Sequence, residues 1–176
     1  LAARGRPGPV QISMPVDLLE GAATPETGSR PAGLPAAGGD TDVEVLRASL
    51  AAAERPLVLA GPAAMRGDTW ERLQGLWQHG VPVVGCESPR GLRDPSLGAF
   101  ARVLGEADQI ILVGKLLDFT LGFGKPPAFA SEARVLAVAP DIEMYKQVAD
   151  AAGERFAGGI IAPLASAAAS LGHAAT

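Results

Sequence analysis

Apolar residues recur along this chain in two alternating rhythms. Leu57-Val58-Leu59-Ala60, Val81 to Val84, Gln109 to Val113, Arg134 to Val138 and Gly159 to Ala162 are short apolar runs of strand length. Between them apolar positions return at helical spacing. Val43, Leu46 and Leu50 follow the capping-box pattern Thr41-Asp42-Val43-Glu44, and Trp70, Leu73 and Trp77 form one stripe behind Asp68 as a cap. A short helix is expected to end at Glu106, another to start at the cap Asp141 and stop near Gly153, and a last one to open at Pro163.

Strands apolar on both faces belong to a parallel sheet covered on both sides, and their alternation with helices makes the class α/β. Right-handed crossovers then give a Rossmann-like, open, doubly wound parallel sheet. Upstream, Val10, Ile12 and Met14 share one face of an extended segment closed by Pro15, followed from Thr24 to Gly39 by a run rich in Pro and Gly. The expected organisation is a strand of some other sheet in residues 1–23, a linker in 24–39, the α/β domain in 40–172, and a short tail in 173–176 that takes in His173.

Composition narrows the function. Of 176 residues, 48% are hydrophobic and 19% charged, a globular balance, and the net charge of −4 argues against nucleic acid as a partner. Gly 22 and Pro 15 exceed globular usage and concentrate in the linker and loops. One cysteine and two histidines cannot build a Cys/His metal cluster, so no metal site is expected, and a reducing, cytoplasmic compartment fits. No apolar stretch approaches the ~20 residues of a membrane span. The chain begins at Leu1 without Met or a signal sequence, so the reading is that of a piece of a longer protein.

Ligands of open parallel sheets bind beyond the carboxyl ends of the strands. The loops there carry Gly61 and Arg66, then Arg90 and Arg93, then Gly114, Lys115 and Lys125. Backbone N–H donors and cations on one rim would suit an anionic ligand such as a nucleotide pyrophosphate; solvated surface charges explain the same residues. Asp141 could accept from a ribose or cap its helix. Neither G-x-G-x-x-G nor the P-loop pattern occurs. Cys86 follows the second strand without a base partner and reads as a structural thiol, and His79 as a helix C-terminal residue. Trp70 and Trp77 read as core, and no catalytic constellation emerges.

The same segments carry a family resemblance. Gly8-Pro9-Val10-Gln11-Ile12-Ser13-Met14-Pro15-Val16-Asp17 resembles the strand that closes the pyrimidine-binding domain of thiamine diphosphate-dependent enzymes of the acetolactate synthase and pyruvate decarboxylase group. Arg55 to Gly61 and Glu106 to Gly114 resemble the first and third strands of their central domain, and Lys115 to Gly124 a loop of acetolactate synthase-like members. The resemblance implies a central Rossmann-like domain between two catalytic domains that hold thiamine diphosphate and Mg²⁺ and lie outside this chain. It implies a homo-oligomeric parent that decarboxylates a 2-keto acid and transfers the acyl-anion equivalent.

For this chain itself the resemblance implies no catalytic residue. If a ligand is retained, it is an adenine nucleotide such as ADP, held by Gly61, Arg66, Arg90, Gly114, Lys115, Asp118 and Asp141. FAD is disfavoured, because Leu116 stands where FAD-binding members have Arg and the stretch from Arg90 to Gly98 is short. The alternative is a self-standing nucleotide-binding or sensory α/β module.

Overall fold

Five strands form one all-parallel sheet in the order β2-β1-β3-β4-β5. The strands are β1 (Pro56–Ala60), β2 (Val83–Gly85), β3 (Gln109–Val113), β4 (Arg134–Ala139) and β5 (Phe156–Ile161). The helices are α1 (Asp40–Ala51), α2 (Gly67–Gly75), α3 (Phe100–Glu106), α4 (Ile142–Ala152) and α5 (Leu164–Ala175). The structure is a computed structural model that describes residues 40–175 together with Gln11, Ser13 and Pro15, which are exposed. The strand expected at Val10, Ile12 and Met14 and the linker of residues 24–39 lie outside the described residues.

Because successive strand residues face opposite ways, each strand supplies two cores. Val58, Ala60, Ile111, Val113, Leu136 and Val138 face α1, α2 and α5 through Leu46, Leu73 and Leu171. Leu57, Leu59, Ile110, Leu112, Val135 and Ala137 face α3 and α4 through Leu104 and Val148. Helices therefore cover both faces, and the doubly wound α/β class is the observed one. Each fully buried Leu or Ile here contributes ~1.5–3 kcal/mol of apolar transfer, which is why an uncharged strand interior is needed on both sides.

Most element boundaries follow the sequence pattern, and the departures have local causes. Asp68 is not a cap. The N-cap of α2 is Arg66, without a side-chain bond, and Asp68 lies in the first turn, where its charge suits the helix dipole. After Gly75 the helix tightens into a 3-10 turn, Leu76–His79, which turns Leu76 into the core and leaves Trp77 58% exposed. The expected core role of Trp77 is thus corrected, while Trp70 packs against the core. β2 is shorter than its apolar run, with Val81 and Pro82 leading in.

β5 starts three residues before its predicted beginning. Gly158 and Gly159 read as chain breakers, yet they form an irregularity in which β5 carries an extra residue between the pairs Val135–Phe156 and Ala137–Gly159. Gly159 has φ of +156°, and a Cβ there would lie 2.0 Å from the Ala137 carbonyl oxygen, so this bulge requires glycine. α5 runs on to Ala175, with Arg47 of α1 donating to the His173 carbonyl at 3.4 Å, so the tail expected from 173 is helical through Ala175. Among the described residues no helix is long and apolar enough to cross a membrane.

Candidate functional site

The connections leaving β1 and β3 diverge to opposite faces of the sheet. α2 covers the face of Val58, whereas residues 114–133, which hold no α-helix, pack on the face of Leu57. A crevice at such a switch point is where ligands of open α/β sheets bind. Long irregular connections of this kind are usually functional.

In this chain the crevice is closed by its own backbone. The Gly61 N–H donates to the Val113 carbonyl and the Gly114 N–H to the Val138 carbonyl, both at 2.9 Å. The two glycines lie against each other, with the Cβ position of Gly61 2.0 Å from the Gly114 carbonyl oxygen. Gly114, at φ of +60°, is covered from the other side by Leu164, whose Cδ1 lies 2.8 Å from its Cβ position. The two N–H groups expected to meet a pyrophosphate are therefore committed to the sheet, and an apolar side chain stands over the second.

Lys115 and Asp118 are also brought together, facing each other. Lys115 is 7% exposed, and its Nζ donates to the Asp118 carboxylate at 2.7 Å and to Thr120 Oγ1 at 2.8 Å. Asp118 also accepts from the Thr120 backbone N–H at 3.0 Å and from its hydroxyl. Burial raises the Asp118 carboxyl's pKa, but the Lys115 ammonium and the Thr120 donors outweigh it, and the net displacement is below the ordinary carboxylate range. Thr120 escaped the sequence reading; the signal was the Asp118-Phe119-Thr120 turn, in which a carboxylate takes the N–H two residues on.

The other candidates remain on separate loops. Arg66 and Arg90 are exposed, and neither makes a hydrogen bond or ion pair with Asp141 or the Lys115 cluster. Asp141 caps α4, accepting from the Met144 N–H at 2.8 Å, which is the capping alternative. Leu116 packs against the core of the α3/α4 face. An open groove of about 250 Å³ lies at the opposite, amino end of the sheet, floored by Leu57, Val103 and Ala107. Among the described residues no group of three His, Cys, Asp or Glu could hold a metal ion.

Cys86 is half-buried, and its thiol meets the Val84 carbonyl at 3.8 Å. Burial pushes its pKa up to about 11; the Lys115 charge opposes this and that of Asp118 adds to it. A thiolate fraction lower by roughly two decades than that of an ordinary thiol follows, so alkylation by iodoacetamide at pH 8 is expected to be ~100-fold slower in the folded protein than in urea. Equal rates in the two states would contradict this environment.

No family model matches the sequence. The chain is similar to the acetolactate synthase of Mycobacterium bovis and to the acetolactate synthase large subunit of Mycobacterium tuberculosis, at 32% identity over 153 residues in each case. It is also similar to 2-hydroxyacyl-CoA lyase 1 of Dictyostelium discoideum, at 30% identity over 154 residues. Each similarity takes in 77% of this chain but only 25% or 26% of the relative. The chain thus spans about a quarter of the length of the curated relatives it matches. These matches support the resemblance that the motifs carry. The nucleotide role of the rim gains no support from its geometry.

Proposed function

We propose that this chain is the central domain of a longer thiamine diphosphate-dependent enzyme of the acetolactate synthase kind, a scaffold holding two catalytic domains in register. The observation that carries the reading is the coincidence of two facts. Similarity takes in most of this chain and a quarter of its relatives, and the described residues make one sheet with both faces covered. The parent reaction is decarboxylation of a 2-keto acid with transfer of the acyl-anion equivalent, and the parent is a homo-oligomer.

Thiamine diphosphate with Mg²⁺ does not fit this chain's described residues, which offer no carboxylate cluster for the metal. Nor do they offer an open glycine-lined cradle for a diphosphate, since Gly61 and Gly114 spend their N–H groups within the sheet. The adenine nucleotide is accordingly left out of this reading, and the rim is a packed remnant of a ligand crevice.

Titration calorimetry on this chain tests the assignment. No saturable heat is expected with thiamine diphosphate and Mg²⁺ at micromolar concentrations, with ADP to millimolar, or with FAD. Saturable cofactor binding would show that the catalytic groups are wrongly placed outside the chain. ADP binding weakened roughly tenfold by Arg66→Ala, the loss of a charge-assisted contact of ~1.5–3 kcal/mol, would restore the nucleotide role. Tight FAD binding would overturn the argument from Leu116.

A further inference from the structure

The long connection after β3 displays two large aromatic side chains to solvent. Phe119 is 67% exposed and Phe123 56% exposed. The backbone beneath them is held from several sides. Lys115, Asp118 and Thr120 are knotted together, Leu117 and Leu121 are buried, and Arg155 donates to the Gly124 carbonyl at 2.6 Å. Gly91 lies against the Thr120 backbone so closely that its Cβ position is 2.0 Å from the Thr120 carbonyl oxygen. Phe123 itself takes φ of +54°, a left-handed conformation that a bulky residue adopts only where its surroundings impose it. A solvated loop has no use for two rigidly held phenylalanines, whereas preorganised exposed aromatics are the usual anchors of an interface.

The charges around them are of one sign. Arg90 and Arg93 flank the Gly91 turn that packs on this loop, and Lys125 follows Gly124. All three are exposed, and none pairs with a carboxylate within salt-bridge distance among the described residues. The chain as a whole carries −4, so a basic-rimmed aromatic patch calls for an occupant that is apolar with carboxylates.

We propose that the segment Val16-Asp17-Leu18-Leu19-Glu20 of this same chain docks on the Phe119/Phe123 surface, its two carboxylates meeting Arg90, Arg93 and Lys125. Three apolar residues interleaved with two acids match the patch in both respects. The tether reaches. Residues from Glu20 to Asp40 can extend ~65–70 Å, against ~25 Å for the width of a five-stranded sheet. α1 ends where β1 begins, so it descends alongside α5, and Asp40 enters the fold near the carboxyl rim, on which Phe119 also lies.

The test uses the 176-residue chain alone and so does not depend on the proposed parent enzyme. Hydrogen exchange is expected to show the amides of Val16 to Glu20 protected at least tenfold, and this protection lost in Phe119→Ser/Phe123→Ser while β3 and β4 stay protected. Arg93→Glu/Lys125→Glu is expected to lower the protection as well, and Asp17→Lys/Glu20→Lys in that background to restore it. Benzoylphenylalanine at position 119 is expected to photo-crosslink to residues 16–20 of its own chain. Absence of protection at 16–20 in the wild type, protection indifferent to the aromatic substitutions, or crosslinks between two copies would each overturn the proposal.

Discussion

Gly61→Ala is expected to destabilise the domain by at least ~3 kcal/mol, the upper end of what overpacking costs. The new methyl group would lie 2.0 Å from the Gly114 carbonyl oxygen and 3.3 Å from the Lys115 Cα, so its neighbours are backbone and no rotamer change can clear it. Relief would have to separate β1 from β3, the central pair of the sheet, and disturb the Gly61 N–H bond to Val113. Gly75→Ala is the control. It adds the same methyl group at the end of α2, where nothing lies within 4 Å, and is expected to be neutral or stabilising by up to ~1 kcal/mol. Urea unfolding of both variants checks the pair, and similar midpoints would mean that the two rim loops are not packed as described.

The second large effect is expected at Asp118. Asp118→Ala leaves the buried Lys115 ammonium with only the Thr120 hydroxyl and also removes the acceptor that fixes the Thr120 N–H. Stranding one partner of a fully buried pair costs ~3–5 kcal/mol, and partial exposure of Asp118, 34% at the side chain, lowers the expectation to ~2–3 kcal/mol. Lys115→Met is expected to cost less, because the carboxylate it strands can be hydrated whereas the ammonium cannot. The effect carries a pH signature of definite sign. Asp118 has a folded-state pKa below its unfolded value, so its contribution is fully present above ~4 and is lost as pH falls through the folded value. The gap between wild type and Asp118→Ala, read from denaturant midpoints, is therefore expected to be constant from pH 7 to about 5 and to narrow below about pH 4. A gap that widened on acidification would contradict the ion pair.

These two sites mark the limit of what the sequence disclosed. The strands were legible because a parallel sheet covered on both faces demands unbroken apolar runs, and Leu57 to Ala60 and Gln109 to Val113 have no other use. The Asp141 cap was legible because capping is local, with a carboxylate three residues before the N–H it takes. The contact of Gly61 with Gly114 joins residues far apart in sequence, and glycine there reads equally as a phosphate cradle or as close backbone packing. Distance along the chain hid which one applies. Lys115 looked like a rim cation because lysine is usually exposed, but a partner three residues on allows it to be buried. Trp77 was misjudged because the helical period was carried past Gly75, where the 3-10 turn changes it. The exposure of Phe119 and Phe123 left no trace in the pattern, since an apolar residue on an irregular loop is indistinguishable from one folded inward.

The central claim is that this sequence is one part of a larger catalytic chain. It is tested most directly by isolating the native polypeptide that carries it and reading its mass and flanking sequence by mass spectrometry. The account predicts a chain several times longer than 176 residues, as the 25% coverage of the mycobacterial relatives implies, with a glutamate-bearing domain before this one and a G-D-G-bearing domain after it. A native polypeptide of 17.9 kDa, bounded by these residues, would contradict it.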